Sequence, residues 1–146
     1  MNEFDPNDIR SMMNYVEDTS TNDSDEVLLK FVENTLFLES QSHSYHLQCD
    51  NYAKHMELNE LYEEFPEYAD AFIEGLMSTR GPIVSTGASY TFQPLESAVE
   101  VLESYRLQCI AMHEVLDKEE EFGSVNSLEN IMSFIDGILY KLKTLA

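Results

Sequence analysis

Basic side chains are scarce in this sequence: 8 lysines and arginines stand against 28 aspartates and glutamates, a formal net charge of -20 over 146 residues. Binding to nucleic acid phosphates draws on clustered Lys and Arg, so direct DNA binding is not expected. Cysteine is rarer still. Cys49 and Cys109 are the only two, with no CxxC spacing between them, which removes any disulfide framework and points to reduced thiols. No apolar run approaches the roughly 18 residues of a membrane span. Nothing at the N-terminus has the basic and then apolar order of a signal peptide, so a soluble, cytoplasmic protein is expected. Also missing are a Gly-rich phosphate loop, an HExxH pair and an internal repeat. What is abundant is carboxylate, and an acidic surface of this size can gather cations, imitate DNA or serve solubility alone.

The length fits one domain with its own core. Residues 1–23 read as an acidic arm in which Ile9, Met12, Met13 and Val16 follow Asp5-Pro6 at helical spacing, predicting a short amphipathic helix over about 6–17 that docks on the domain or on a neighbouring subunit. Residues 24–146 read as four long helices. Asp23 and Glu26 have capping-box spacing, and Leu28, Phe31, Thr35, Leu38, Ser42, Tyr45 and Cys49 then share one face up to a break at Asp50-Asn51. The second helix carries Leu58, Leu61, Tyr62, Phe65, Ala69, Phe72, Ile73 and Leu76 and stops at Gly81-Pro82 in a left-handed cap; Pro66 is expected to kink or interrupt it. From Gly81 to Gln93, at ~3.3 Å per residue, the chain reaches roughly 43 Å, about the length of a 28-residue helix. That connector can cross the whole bundle, with Ile83, Val84, Tyr90 and Phe92 available to pack on it.

Leu95, Ala98, Leu102, Tyr105, Cys109, Met112 and Leu116 repeat in heptad steps from Pro94 onward, closing at Glu119-Glu120-Glu121 and Gly123. Asn126 and Glu129 then predict the start of a fourth helix with the stripe Leu128, Ile131, Ile135, Ile138, Leu142 and Leu145, and Lys141 and Lys143 suit the negative end of its dipole. The expected fold class is all-α: a ferritin-like four-helix bundle with a long crossover between helices two and three.

Two histidines, His43 and His46, sit three apart near the end of the first helix, with Glu39 one turn before His43, and His55 opens the second. At ~100° per residue from His55, Asn59 falls near 40°, Asp70 near 60° and Glu74 near 100°, flanking an apolar stripe near -60°. Imidazoles at a tight corner suit Fe or Zn. Asp70, however, lies about 22 Å along the helix from His55, far beyond a ~2 Å coordination bond. Both can meet one ion only if a second subunit packs antiparallel across a two-fold axis. Taken singly, such histidines more often cap or satisfy polar contacts, and Asp70 and Glu74, like His113-Glu114, would be a solvated face. Met12, Met13 and Met112 read as packing residues and Tyr52 and Tyr62 as core filling.

The spacing of His55, Asp70 and Glu74 resembles the inter-subunit ferroxidase signature of the mini-ferritins, the Dps family of bacterial starvation proteins. Tyr45-His46-Leu47, the run Asn51 to His55, Phe72-Ile73-Glu74 and Ile138-Leu139-Tyr140-Lys141-Leu142 also look like a group of small ferritin-like proteins of unassigned function from tailed phages. The likeness covers roughly residues 25–146 and is densest over 45–81. It implies a homo-oligomer, at least an antiparallel dimer, holding iron between subunits through His46, His55, Asp70 and Glu74, with ferroxidase or iron-sequestration activity and, if phage-encoded, the host cytoplasm as location. His43 gives the gapless spacing of twelve to His55, so the first histidine is either His43 or His46. Asn59 stands where the family pattern has an acid, Leu47 where a Trp is usual, and the basic DNA-binding arm of some members is absent. The alternative is a non-catalytic acidic bundle, a degenerate ferritin-like interaction protein or a DNA mimic.

Overall fold

The computed structural model describes residues 21–145. Among them are four α-helices and no strand: α1 Thr21–Gln48, α2 Tyr52–Arg80, α3 Ala98–Lys118 and α4 Phe122–Thr144, with a 3-10 turn at Leu95–Ser97 ahead of α3. The short helix expected over 6–17 lies outside the described residues.

Periodicity sets which faces are buried. The apolar stripes of α2, α3 and α4 close into one core with Val27, Leu28, Phe31, Val32, Leu38 and Tyr45 of α1. The Tyr105 ring stacks on Phe31 at 5.3 Å and meets Phe65 edge-on at 5.8 Å, tying α1, α2 and α3 at the centre. Thr35 Oγ1 donates to the Phe31 carbonyl at 2.9 Å, so its one proton is committed and the Tyr105 hydroxyl, 2.7 Å away, must be the donor between the two. Asn34 Nδ2 donates to Gln108 Oε1 at 3.0 Å, so these two buried amides satisfy one another across the same interface.

Side-chain pairs give the direction of each helix. His46 meets His55 and Phe31 meets Phe72, so α1 and α2 are antiparallel. Tyr45 meets Ser97 and Asn34 meets Gln108, so α3 is antiparallel to α1. α4 runs antiparallel to α2 (Tyr68 on Phe134, Lys141 on Glu60) and to α3 (Lys143 on Glu103, His113 on Glu129). Residues 81–94 lie along α1: the Thr86 amide donates to Glu33, Tyr90 stacks on Phe37 at 5.0 Å, and Gln93 exchanges hydrogen bonds with Gln41. Ile83 and Val84 do not pack as expected and stay exposed.

Helix boundaries depart from the sequence reading in four places. Pro66 does not interrupt α2: losing one backbone bond is offset by the burial of Leu61, Phe65, Ala69 and Phe72 on either side of it. Gly81 ends α2 with φ 78 and ψ -176, outside the left-handed helical region but equally suited to glycine, and its N–H reaches the Met77 carbonyl at 2.8 Å. α3 proper begins at Ala98 after the 3-10 turn, not at Pro94. α4 begins at Phe122, four residues before Asn126, because Ser124 and Val125 are buried and Glu121 is anchored from outside the helix. Gly123 is therefore helical, and the residue with left-handed φ in the turn is Glu120, at 59°.

Candidate metal-binding half-sites on the first two helices

Asn51 builds the corner. Its side chain accepts from the Lys54 amide at 3.0 Å, an N-cap that starts α2 three residues after α1 ends. A corner this tight stacks His46 on His55 with centroids 4.1 Å apart. His43, one turn earlier, stacks on Tyr62 at 4.0 Å, and its centroid lies 6.3 Å from that of His46. All three histidines thus line one seam between α1 and α2, all half-buried. The sequence left His43 and His46 as alternatives; His46 is the one in ring contact with His55.

Hydrogen bonding fixes one tautomer. His55 Nδ1 lies 3.0 Å from the His46 carbonyl oxygen, which can only accept, so Nδ1 carries the proton and the neutral ring keeps its lone pair on Nε2. A backbone carbonyl on one ring nitrogen, leaving the other free to ligate, is the usual arrangement of a metal-binding histidine. His46 Nδ1 is buried and has no hydrogen-bond partner among the described residues. An imidazole nitrogen without a partner is uncommon in a buried setting.

Asp70 and Glu74 stand exposed on α2, and Asn59 is half-buried between them and the corner. Because α2 is one continuous helix, the separation of about 22 Å between His55 and Asp70 holds. Among the described residues of one chain, no group of three or more His, Cys, Asp or Glu is close enough to hold a metal ion. Within the chain, the histidine corner and the Asp70 and Glu74 pair are therefore apart from one another.

Burial, and next the negative charge of Asp70, push the Glu39 carboxyl above its usual range, so α1 places Glu39 within the field of Asp70. Tyr62 is half-buried as a stacking partner and Tyr52 is 78% exposed, so neither is core filling. His113 lies 3.1 Å from Glu129 across α3 and α4, away from this seam. Met112 is buried, as expected of a packing residue. Cys109 is buried against Tyr105 and Cys49 is free. Among the described residues no helix is long and apolar enough to cross a membrane.

Among the described residues, an all-helical arrangement of four packed helices with a histidine corner is what these observations define. Residues 46–142, about two thirds of the chain, match the family of unknown function DUF5856, and the chain belongs to that family. The match begins at the corner histidine and ends on α4. No curated protein and no solved structure matches the chain.

Proposed function

We propose that this protein is a ferritin-like four-helix bundle, with residues 81–94 as its long crossover, that takes iron as substrate at sites shared between two antiparallel copies. His46 and His55 of one copy supply neutral nitrogen ligands, and Asp70 and Glu74 of the other supply anionic oxygen. His43 is the alternative first histidine and Asn59 a weaker neutral donor. The observation that carries this reading is the histidine corner: His55 Nδ1 is held by the His46 carbonyl and the two rings stack 4.1 Å apart. Two imidazoles this close can reach one ion with bonds of about 2 Å once the stacked rings turn their nitrogens toward it.

The residues fit iron chemically. Imidazole and carboxylate together suit Fe, and carboxylates stabilise the higher charge of Fe(III). A net charge of -20 raises the local concentration of cations near the surface. The resemblance to mini-ferritins supports the same assignment. The test is Fe(II) added to the protein without oxygen, followed by O2 or peroxide, with absorbance recorded. Wild type is expected to oxidise iron faster than buffer and Asp70→Ala to fall to the background rate; equal rates in both overturn the ferroxidase reading.

A second reading rests on a specific observation as well. Within one chain no complete ligand set exists among the described residues, as fits a non-catalytic acidic bundle that acts through its surface or mimics DNA. Light scattering separates the two. A shell or antiparallel dimer supports the shared site, and a monomer that binds no iron supports the second reading.

A further inference from the structure

We infer that residues 1–20 of this chain dock, as an amphipathic helix, in an apolar groove of the same chain that α1, the end of α2 and the start of the connector leave open. The inference is independent of the shared-site reading and turns on different residues.

The groove holds about 450 Å³ and lies at the end of the bundle where the chain enters α1. Leu29 and Val32 of α1, Leu76 and Met77 of α2, and Ile83 and Val84 of the connector line it. Met77, Ile83 and Val84 are 38%, 41% and 70% exposed, so apolar side chains from two neighbouring stretches stand in water around one depression. Apolar surface gathered in this way gains free energy from a cover. The Gly81 amide bonds to Met77 and the Thr86 amide to Glu33 of α1, which keeps the intervening Ile83 and Val84 beside the groove. The charged groups lining it, Asp25 and Arg80, are paired with each other. What the groove offers an occupant is therefore its apolar surface.

The chain itself supplies a matching face. Ile9, Met12, Met13 and Val16 have the spacing of one helical stripe. From Ile9 to Val16 is about 10 Å of helix, and from Asp25 to Val32 along α1 is about the same. Between a helix ending at residue 17 and Thr21, the first residue of α1, lie Asp18, Thr19 and Ser20, a loop of the length that joins antiparallel helices. Reversal there sets Val16 beside Asp25 and Ile9 beside Val32, so stripe and groove agree in position as well as in length. So short a connection also holds the arm at a high effective concentration over its own groove, ahead of the arm of another copy. Charge does not draw it in, because Glu3, Asp5, Asp8, Glu17 and Asp18 stand against Arg10 alone, on an acidic body. Apolar contact outweighs that repulsion, and added salt strengthens the docking.

The chain has no tryptophan, so Val84→Trp in the full-length protein gives a single reporter at the groove. It is expected to emit at shorter wavelength, and to be several-fold less quenched by acrylamide, than the same chain also carrying Met12→Asp and Met13→Asp. Hydrogen exchange reads the same contact with no probe in the groove: amides of residues 77–84 should exchange several-fold faster in Met12→Asp/Met13→Asp than in wild type. No difference in either readout overturns the inference. Tyr140→Trp, at an exposed position of α4, is the control. The arm substitutions should leave its emission unchanged, and a matching change there assigns the effect to general loosening of the bundle and overturns the inference as well. Protection of Val84→Trp that fades over about 100-fold dilution puts the arm of another copy in the groove and overturns the assignment to the same chain.

Discussion

Asn59 is the residue on which the metal reading turns. One helical turn separates Asn59 from His55, so an acid at 59 would stand beside the histidine corner. Asn59→Asp is therefore expected to tighten Co(II) binding several-fold, checked by titration of the full chain followed by visible absorption, because an anionic oxygen replaces a neutral one beside two imidazoles. Unchanged affinity would place position 59 outside the site. The buried polar residues of the α1 and α3 interface behave differently. Asn34, Thr35, Gln108 and Tyr105 have their partners within the core, and Tyr105 is raised well above the usual tyrosine range, chiefly by burial. They specify how α1 and α3 register and leave no group to spare for chemistry. Cys109, raised chiefly by burial, is likewise a packing thiol and not a nucleophile.

Single elements meet at Arg80, the last residue of α2. Its guanidinium pairs with Asp25 of α1 and with Glu119 and Glu121 of the turn between α3 and α4, and Thr79 Oγ1 adds a hydrogen bond to Glu121 at 2.7 Å. Three helix ends are joined by one side chain. Burial pushes Glu121 upward, but the hydrogen bonds from Arg80 and Thr79 outweigh it and hold the carboxyl below its usual range; burial leaves Glu119 above it. Arg80→Met would leave the three carboxylates facing one another. At neutral pH it is expected to destabilise by roughly 1–2 kcal/mol, the scale of a partly exposed charge network. The sign with pH follows from Glu121. A carboxyl depressed in the folded state contributes stability above its unfolded pKa and loses it as pH falls through the folded value. The gap between wild type and Arg80→Met should therefore be widest at neutral pH and shrink as pH drops through and below the usual carboxylate range. Denaturant melts at several pH values check this; a gap independent of pH would mean that packing, not charge, is what Arg80 contributes.

Across the whole molecule the excess of acid is itself a force. Self-repulsion among charges of one sign opposes the compact state, and salt screens it over about 10 Å at 0.1 M. Raising ionic strength from about 0.01 M to 0.3 M is expected to raise the melting temperature, measured by circular dichroism at neutral pH. A fall would show that pairs such as Lys141 with Glu60, 3.0 Å apart, outweigh the general repulsion. Divalent metal should raise the melting temperature further and at far lower concentration, because binding to the folded state alone adds stability by mass action.

Much of this fold was legible in the chain. The stripes of α2, α3 and α4 follow from helical periodicity, since apolar residues three and four apart can bury one face only as a helix. Asn51 marks the corner, and the ~22 Å from His55 to Asp70 follows from helix rise alone. The start of α4 did not follow from local signals: the Asn126 and Glu129 pair is worth about 1 kcal/mol as a cap, and burial of Val125 with the anchoring of Glu121 outweighs it. Pro66 was carried through α2 for the same reason. Nor could spacing show which of His43 and His46 meets the His55 ring. That depends on which side chains of α1 face α2 once the helices pack, and the contact is set by the shared core of all four helices, not by the order of residues along either one.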